Sequence, residues 1–154
     1  MRHAGLLFTV CVVASGGVAA QDSESARMDS LQAVAAFYRL PASEVAILDD
    51  WELPLDEIPV VLFVARRAGV SPEALVALRG SGRSWASLTD RYRVTTATLH
   101  LALPDDASAG ALADAYATFR EMPVDGWQAI RLTDTDIVSL VNIRVIGQSL
   151  GLSS

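Results

Sequence analysis

Cysteine and histidine are scarce in this chain, and their scarcity removes several classes of function. The single cysteine, Cys11, lies in an apolar stretch near the N-terminus, and the second of two histidines is His100. Once that N-terminal stretch is removed, disulfides, thiolate metal sites and cysteine nucleophiles are excluded. Metal sites recruit several ligands, and a catalytic histidine needs an orienting acid, so we interpret His100 as a surface or partly buried helix residue. The sequence predicts no metal site and no cofactor.

Lysine is absent, and all 12 basic residues are arginine. We interpret this as a compositional bias and not as a binding device. The formal net charge is −6, and removal of Arg2 makes it one unit more negative. A negative chain is repelled by nucleic acids, because neutralised phosphates supply most of the affinity of proteins that bind them. We therefore expect no nucleic-acid partner.

The N-terminal segment has the three parts of a secretory signal. Arg2 supplies the positive start, Ala4 to Val13 form a short apolar stretch, and small residues lead to Ala20. A membrane span needs about 20 apolar residues, roughly twice the length of this stretch. The sequence predicts that residues 1–20 are a signal peptide cleaved after Ala20, that the protein is exported to the periplasm or beyond, and that no stable membrane span remains. An uncleaved anchor is the alternative.

Strict alternation of apolar and polar residues is also missing, and no hairpin dipeptide separates β-branched runs. Residues 21–28 are small and polar, which predicts a flexible lead-in. From residue 29 onward, apolar residues recur at helical spacing, beginning with the stripe Leu31, Val34, Ala35 and Tyr38. The pattern predicts an all-α fold, in which residues 29–154 form a single compact bundle of about six to seven short helices with helix-turn-helix-like corners.

Local signals mark where these helices begin and end. Asp56 as cap and Pro59 in the first turn predict the start of an apolar helix, and Gly69 predicts its left-handed end. Thr133 with Asp136 fits a reciprocal capping box at the start of the last helix. Further helix starts are predicted at Ser71, Ser84 and Thr95.

Segments 55–103 and 133–154 share an outline of acid, isoleucine, apolar helix, arginine and glycine. A truncated internal repeat is one interpretation, and the reuse of ordinary capping signals is the other. Both interpretations predict that the two apolar helices, around Val61 and Val141, form the central pair of the core.

The stretch GRSWASLTDRYRVTTATLH has the spacing of a DNA-reading helix-turn-helix. Its second helix, however, offers threonines and His100 and no arginine that could reach base edges or phosphates, while Arg91 and Arg93 lie in the turn. We interpret the stretch as a packed helical corner. A DNA-binding regulator is the alternative if the signal peptide is wrong.

Acidic pairs and tryptophans are the remaining candidates for chemistry. Capping and dipole stabilisation explain the acidic pairs, since each falls at a predicted helix boundary; a carboxylate-dependent hydrolase is the alternative. Tryptophan is enriched at binding hot spots, so Trp51, Trp85 and Trp127 are a possible partner surface, with packing of a small core as the competing interpretation. The acidic pairs are Asp49–Asp50, Asp56–Glu57, Asp105–Asp106 and Asp134 with Asp136.

Two stretches resemble a family of small exported bacterial helical proteins without an assigned activity. The first reads ARRA-x-V-x-P followed by L-R-x-x-G-x-SW, and the second, W-x-x-I-x-L-T-D-x-D-I-V-x-L-V-N-x-R, runs from Trp127 to Arg144. The resemblance implies export and helices and brings no site residue with it. We therefore predict a non-enzymatic exported protein with no catalytic residue, which binds another envelope protein; its oligomeric state is left open.

Overall fold

The computed structural model of the chain describes residues 16–103 and 108–149, with side-chain burial from residue 21 to residue 147. Across these residues the backbone is helical, with short turns and no strand, which confirms the predicted all-α fold. None of the described helices combines the length and hydropathy that a membrane crossing requires. The α-helices are α1 (Gly16–Tyr38), α2 (Val45–Asp49), α3 (Ile58–Ala68), α4 (Pro72–Gly80), α5 (Trp85–Arg91), α6 (Thr96–Leu99), α7 (Ala113–Glu121) and α8 (Asp134–Ser149), with 3₁₀ segments at Ala42–Glu44, Gly110–Leu112 and Val124–Ala129.

Helix α1 begins well before the apolar stripe, starting at Leu31, from which the helix was predicted. Residues 21–28, predicted as a flexible lead-in, lie within this helix. One of them, Arg27, donates from Nε to Asp49 at the end of α2 over 2.6 Å. A charged residue of the polar segment is therefore attached to the neighbouring helix. Residues 1–15, which include most of the predicted signal peptide and Cys11, lie outside the described residues.

Helices α3 and α8 form the central pair of the core, as predicted. Every side chain from Ile58 to Ala65 is buried, so α3 has no solvated face over two turns. Val61 and Val141 are 0% and 1% exposed. The contact between α3 and α8 is the most extensive between any two described elements, and α1 and α5 pack against α8 around it. The buried face of α8 consists of Ile137, Leu140, Val141 and Val145.

Most predicted helix ends are confirmed. Pro59 lies in the first turn of α3, and Gly69 ends that helix with a left-handed φ of 67°. At the start of α8, the Thr133 N–H donates to Asp136 Oδ2 over 2.9 Å, and the Asp136 N–H donates to Thr133 Oγ1 over 3.2 Å. These bonds satisfy amides that the helix itself leaves open. A side-chain oxygen also accepts the N–H three residues on at Ser71, Ser84 and Thr95.

The predicted cap at Asp56 is wrong. Glu57 occupies the N-cap position of α3 and makes no side-chain capping bond. Its carboxylate instead accepts two hydrogen bonds from Arg79 of α4, over 2.6 and 2.7 Å. The carbonyl of Asp56 accepts a hydrogen bond from Asn142 of α8 over 2.8 Å. Long-range partners, which local sequence signals do not report, therefore organise this helix start.

The corner between α5 and α6 differs from the predicted helix-turn-helix in its second helix. Helix α6 has only four residues, because His100 leaves the helical region with φ −53° and ψ 136°. A helix of one turn is far shorter than the recognition helices that lie in the DNA major groove. Pro104 and the acidic pair Asp105–Asp106, which follow this corner in the sequence, lie outside the described residues, as does Gly151 of the proposed repeat.

Candidate functional site

The three tryptophans predicted as a partner surface have different environments. Trp85 is 0% exposed, so its indole lies in the core and not on a surface. Its Nε1 has no hydrogen-bond partner among the described residues. Trp127 is half-buried and donates from Nε1 to the carbonyls of Phe119 and Met122 over 3.1 and 3.0 Å. Trp51 is half-buried against the core.

His100 belongs to an aromatic cluster, which no sequence pattern predicted. Its ring centre lies 4.3 Å from that of Trp127, 4.7 Å from that of Phe119 and 5.8 Å from that of Tyr116. Burial, and then the nearby charge of Arg144, lower the pKa of His100 below its ordinary value. The neutral imidazole therefore packs as a partly buried ring, which is one of the two environments predicted for it, although His100 lies just past the end of α6 and not within a helix.

Three of the four acidic pairs lie in the described part of the chain, and each of these three includes a residue with a structural partner. Asp49 pairs with Arg27, and Glu57 pairs with Arg79. Asp134 accepts the backbone N–H of Ala86 over 3.0 Å and thereby contributes to the start of α5. Within residues 16–103 and 108–149, no three His, Cys, Asp or Glu side chains come together as metal ligands would.

A different cluster stands out, which we call the arginine cleft. Its cavity, of about 170 Å³, lies where the end of α1 meets the last turn of α3 and the middle of α8. Arginine at the end of α3 is explained locally by the negative end of the helix dipole. The meeting of three arginines is a product of the tertiary fold. The residues that line the cleft are Phe37, Tyr38, Phe63, Arg66, Arg67 and Arg144.

Aromatic rings hold the guanidinium groups of the cleft. The Cζ of Arg67 lies 5.5 Å from the centre of the Phe63 ring, and the Cζ of Arg144 lies 5.1 Å from the same centre. Arg66 packs on Tyr38, at 5.4 Å, and donates from Nη2 to its carbonyl over 2.8 Å. These cation–π contacts fix the cations beside an apolar surface without neutralising their charge.

Arg144 is the most constrained of the three. Its Nη2 points at the carbonyls of Thr98, Leu99 and His100, at 3.3, 3.2 and 2.9 Å, which closes the C-terminal end of α6. Its Nε and Nη1 have no acceptor among the described residues, and the guanidinium carries five N–H donors in all. Burial, followed by the charge of Arg67, lowers the pKa of Arg144. The Arg144 guanidinium is thus held half-buried, and its Nε and Nη1 donors remain available to a ligand.

Among the described residues, no carboxylate forms an ion pair with an arginine of the cleft. The ion pairs found in the described part of the chain are Arg27–Asp49, Arg79–Glu57 and Arg79–Asp134, and none of them includes a cleft arginine. Arg67 makes no hydrogen bond there either. Three planar guanidinium groups around one cavity are suited to a carboxylate or another oxyanion, which accepts paired hydrogen bonds from such groups.

The sequence contained one sign of this site. The adjacent pair Arg66–Arg67 lies in the last turn of α3, where the helix dipole favours basic residues. Nothing in the sequence linked that pair to Phe37 or to Arg144, which is 77 positions beyond Arg67 in the printed numbering. The chain matches no model of a known protein family, and neither a curated protein nor a solved structure matches it.

Proposed function

We propose that this protein is an exported, non-enzymatic recognition domain that binds an acidic segment of another envelope protein in the arginine cleft. The observation that carries the proposal is that three arginines share one cavity and that no carboxylate of residues 16–103 or 108–149 pairs with any of them. A bound carboxylate relieves the repulsion among these cations and takes up their unused N–H groups. Such a charge-assisted bond is stronger than a neutral one.

The size of the cleft favours a protein side chain over a free small molecule. Ligand pockets for small molecules have volumes of about 300–1,000 Å³, and the cleft is smaller at about 170 Å³. One glutamate or aspartate side chain fits it. The rings of Phe37 and Phe63 form part of its wall and offer an apolar surface to a neighbouring residue of the same segment. We therefore expect an acidic residue next to an apolar one.

The net charge of the whole chain further limits the kinds of partner that the cleft can bind. At a net charge of −6, the protein repels long polyanions. A compact local anion is affected less, because charges farther away than about 8–10 Å are screened at physiological salt. The arrangement supports binding of a short acidic segment, and binding of nucleic acid is the outcome that it disfavours.

A short peptide tests the site directly. The probe is an acetylated, amidated hexapeptide with alternating glutamate and phenylalanine, and its control carries glutamine in place of glutamate. Calorimetric titration at low salt is expected to detect the first peptide and to give at least about ten-fold weaker binding for the second. Equal binding of both peptides contradicts the proposal, as does tighter binding of an oligonucleotide.

Substitution of Arg67 separates recognition from folding. Arg67 is exposed and makes no hydrogen bond within the described residues, so Arg67→Gln leaves the helix ends intact. We expect it to weaken binding of the acidic peptide by about ten-fold, with no larger a change in melting temperature than the loss of one dipole-compensating charge causes. The matched control is Arg120→Gln, in the last turn of α7 and outside the cleft. If both variants bind like the wild type, the cleft arginines serve only to cap helices.

Export has its own test. The N-terminal pattern of residues 1–20 supports it, and N-terminal sequencing of protein recovered from the envelope fraction is expected to begin at Gln21. Recovery of the full chain, with its N-terminal Met1, from the cytoplasmic fraction contradicts export and leaves the binding proposal to be judged on the peptide titrations alone.

A further inference from the structure

A second cavity, of about 350 Å³, lies between α5, α6 and the segment that leads into α8; we call it the α5–α6 cavity. Its volume falls within the range typical of small-molecule sites, unlike that of the arginine cleft. Its rim carries Asp90, Arg93 and Arg131, all of which are exposed. The apolar side chains that line it are themselves largely buried: Val94, Leu99, Ile130, Leu132 and Ile137.

The polar groups of this cavity fall into two kinds. The hydroxyl of Thr96 donates to the carbonyl of Ile130 over 2.9 Å, so the fold itself uses it. The charged groups of Asp90, Arg93 and Arg131 take part in none of the ion pairs of the described residues. Charges of both signs therefore border a cavity with five apolar side chains in its wall and remain available to a ligand.

The backbone at Arg93 ends α5, where the Val94 N–H donates to the carbonyl of Thr89 over 2.9 Å. Arg93 has a left-handed φ of 56°, where glycine is favoured because side chains there crowd the backbone. The fold uses glycine for the same purpose at Gly69, where φ is 67° and α3 ends. Arg39, beyond the end of α1, shares the conformation of Arg93 with φ 55° but does not line the α5–α6 cavity.

We propose that the α5–α6 cavity binds a free α-amino acid with an apolar side chain. The ligand carboxylate is held by Arg93 and Arg131, its ammonium group by Asp90, and its side chain by the apolar lining. A simple anion leaves Asp90 beside a like charge, and a purely apolar molecule leaves all three rim charges without partners. A zwitterion with an apolar side chain can pair with the rim charges and also pack against the apolar side chains of the cavity. The proposal is independent of the arginine cleft, with which the cavity shares no residue.

Ligand analogues test the charge pattern on the full chain. Phenylalanine is the probe; hydrocinnamate lacks its ammonium group, and phenethylamine lacks its carboxylate. Calorimetry or ligand-detected NMR is expected to give at least about ten-fold weaker binding for each analogue than for phenylalanine. Absence of phenylalanine binding at millimolar concentration overturns the proposal, and so does hydrocinnamate binding as tight as that of phenylalanine.

A pair of glycine variants separates a ligand-binding side chain from a structural one. Arg93→Gly relieves the left-handed backbone, so it is expected to raise the melting temperature while weakening phenylalanine binding by about ten-fold. Arg39→Gly makes the same change outside the cavity and is expected to raise the melting temperature with unchanged binding. Both variants should bind the acidic peptide like the wild type. If Arg93→Gly binds phenylalanine normally, the assignment of Arg93 is wrong and the proposal falls.

Discussion

Replacement of Arg79 by methionine is the strongest single test of how the helices are held together. The Arg79 guanidinium bonds both oxygens of Glu57, over 2.6 and 2.7 Å, and Asp134 Oδ2 over 3.3 Å. It also donates to the carbonyl of Arg83 over 2.9 Å. Because Asp134 in turn accepts the N–H of Ala86, one side chain links the starts of α3, α5 and α8 to the end of α4.

The solvent exposure of Glu57 and Arg79 determines how much stability the substitution should remove. The side chain of Glu57 is 12% exposed and that of Arg79 is 23% exposed, so this pair is largely shielded from water. Exposed ion pairs contribute about 0–1 kcal/mol, whereas removal of one partner from a buried pair costs about 3–5 kcal/mol. We expect Arg79→Met to lower the free energy of unfolding by about 2–3 kcal/mol, since it leaves the Glu57 carboxylate mostly buried and unpaired.

Urea denaturation followed by circular dichroism at neutral pH measures this effect. The matched control is Arg83→Met, an exposed arginine whose side chain makes no hydrogen bond among the described residues, with an expected change of at most about 0.5 kcal/mol. The double variant Glu57→Gln with Arg79→Met should be more stable than Arg79→Met alone, because no charge is then left unpaired. A free energy of unfolding for Arg79→Met within about 0.5 kcal/mol of the wild type would show that Arg79 does not hold these helices together.

Three further predictions concern the core, a helix start and pH. Leu140→Ala, at a fully buried position of α8, should lower the free energy of unfolding by about 3 kcal/mol in the same urea assay, and a loss below about 1 kcal/mol contradicts the central position of this helix. Thr133→Ala removes half of a capping box and should cost about 1 kcal/mol, while the exposed Thr135→Ala serves as its control. The lowered pKa of His100 means that the unfolded state takes up a proton first, so unfolding free energy should fall as pH falls below about 6.5. His100→Gln should flatten that part of the pH profile, and an unchanged slope contradicts the assignment.

Local chemistry explains why most helix boundaries could be predicted from the sequence. The caps at Ser71 and Ser84 and the left-handed end at Gly69 each depend on residues within four positions, so the sequence contains the whole interaction. The central pair was predictable for a related reason. An uninterrupted apolar helix such as α3 is stable in water only if it is surrounded.

The predictions from sequence fail where contacts between residues far apart in the chain determine the structure. Asp56 has the residue type of a cap, but Glu57 is engaged by Arg79 of α4, and the helix begins one residue later than that cap requires. The polar composition of residues 21–28 indicated a lead-in, whereas those residues continue α1 and one of them pairs with α2. The arginine cleft combines three helices that are far apart in sequence, and no periodicity or spacing rule connects them.

The indole rings give the protein a built-in optical readout. Emission from Trp85, sealed in the core, reports on global unfolding. The Trp127 ring lies 4.3 Å from the imidazole of His100, and a protonated imidazole quenches indole fluorescence at such contact. Acid titration of variants that retain one indole each therefore separates loosening around α6 and α7 from collapse of the α3–α8 pair, with no dye attached.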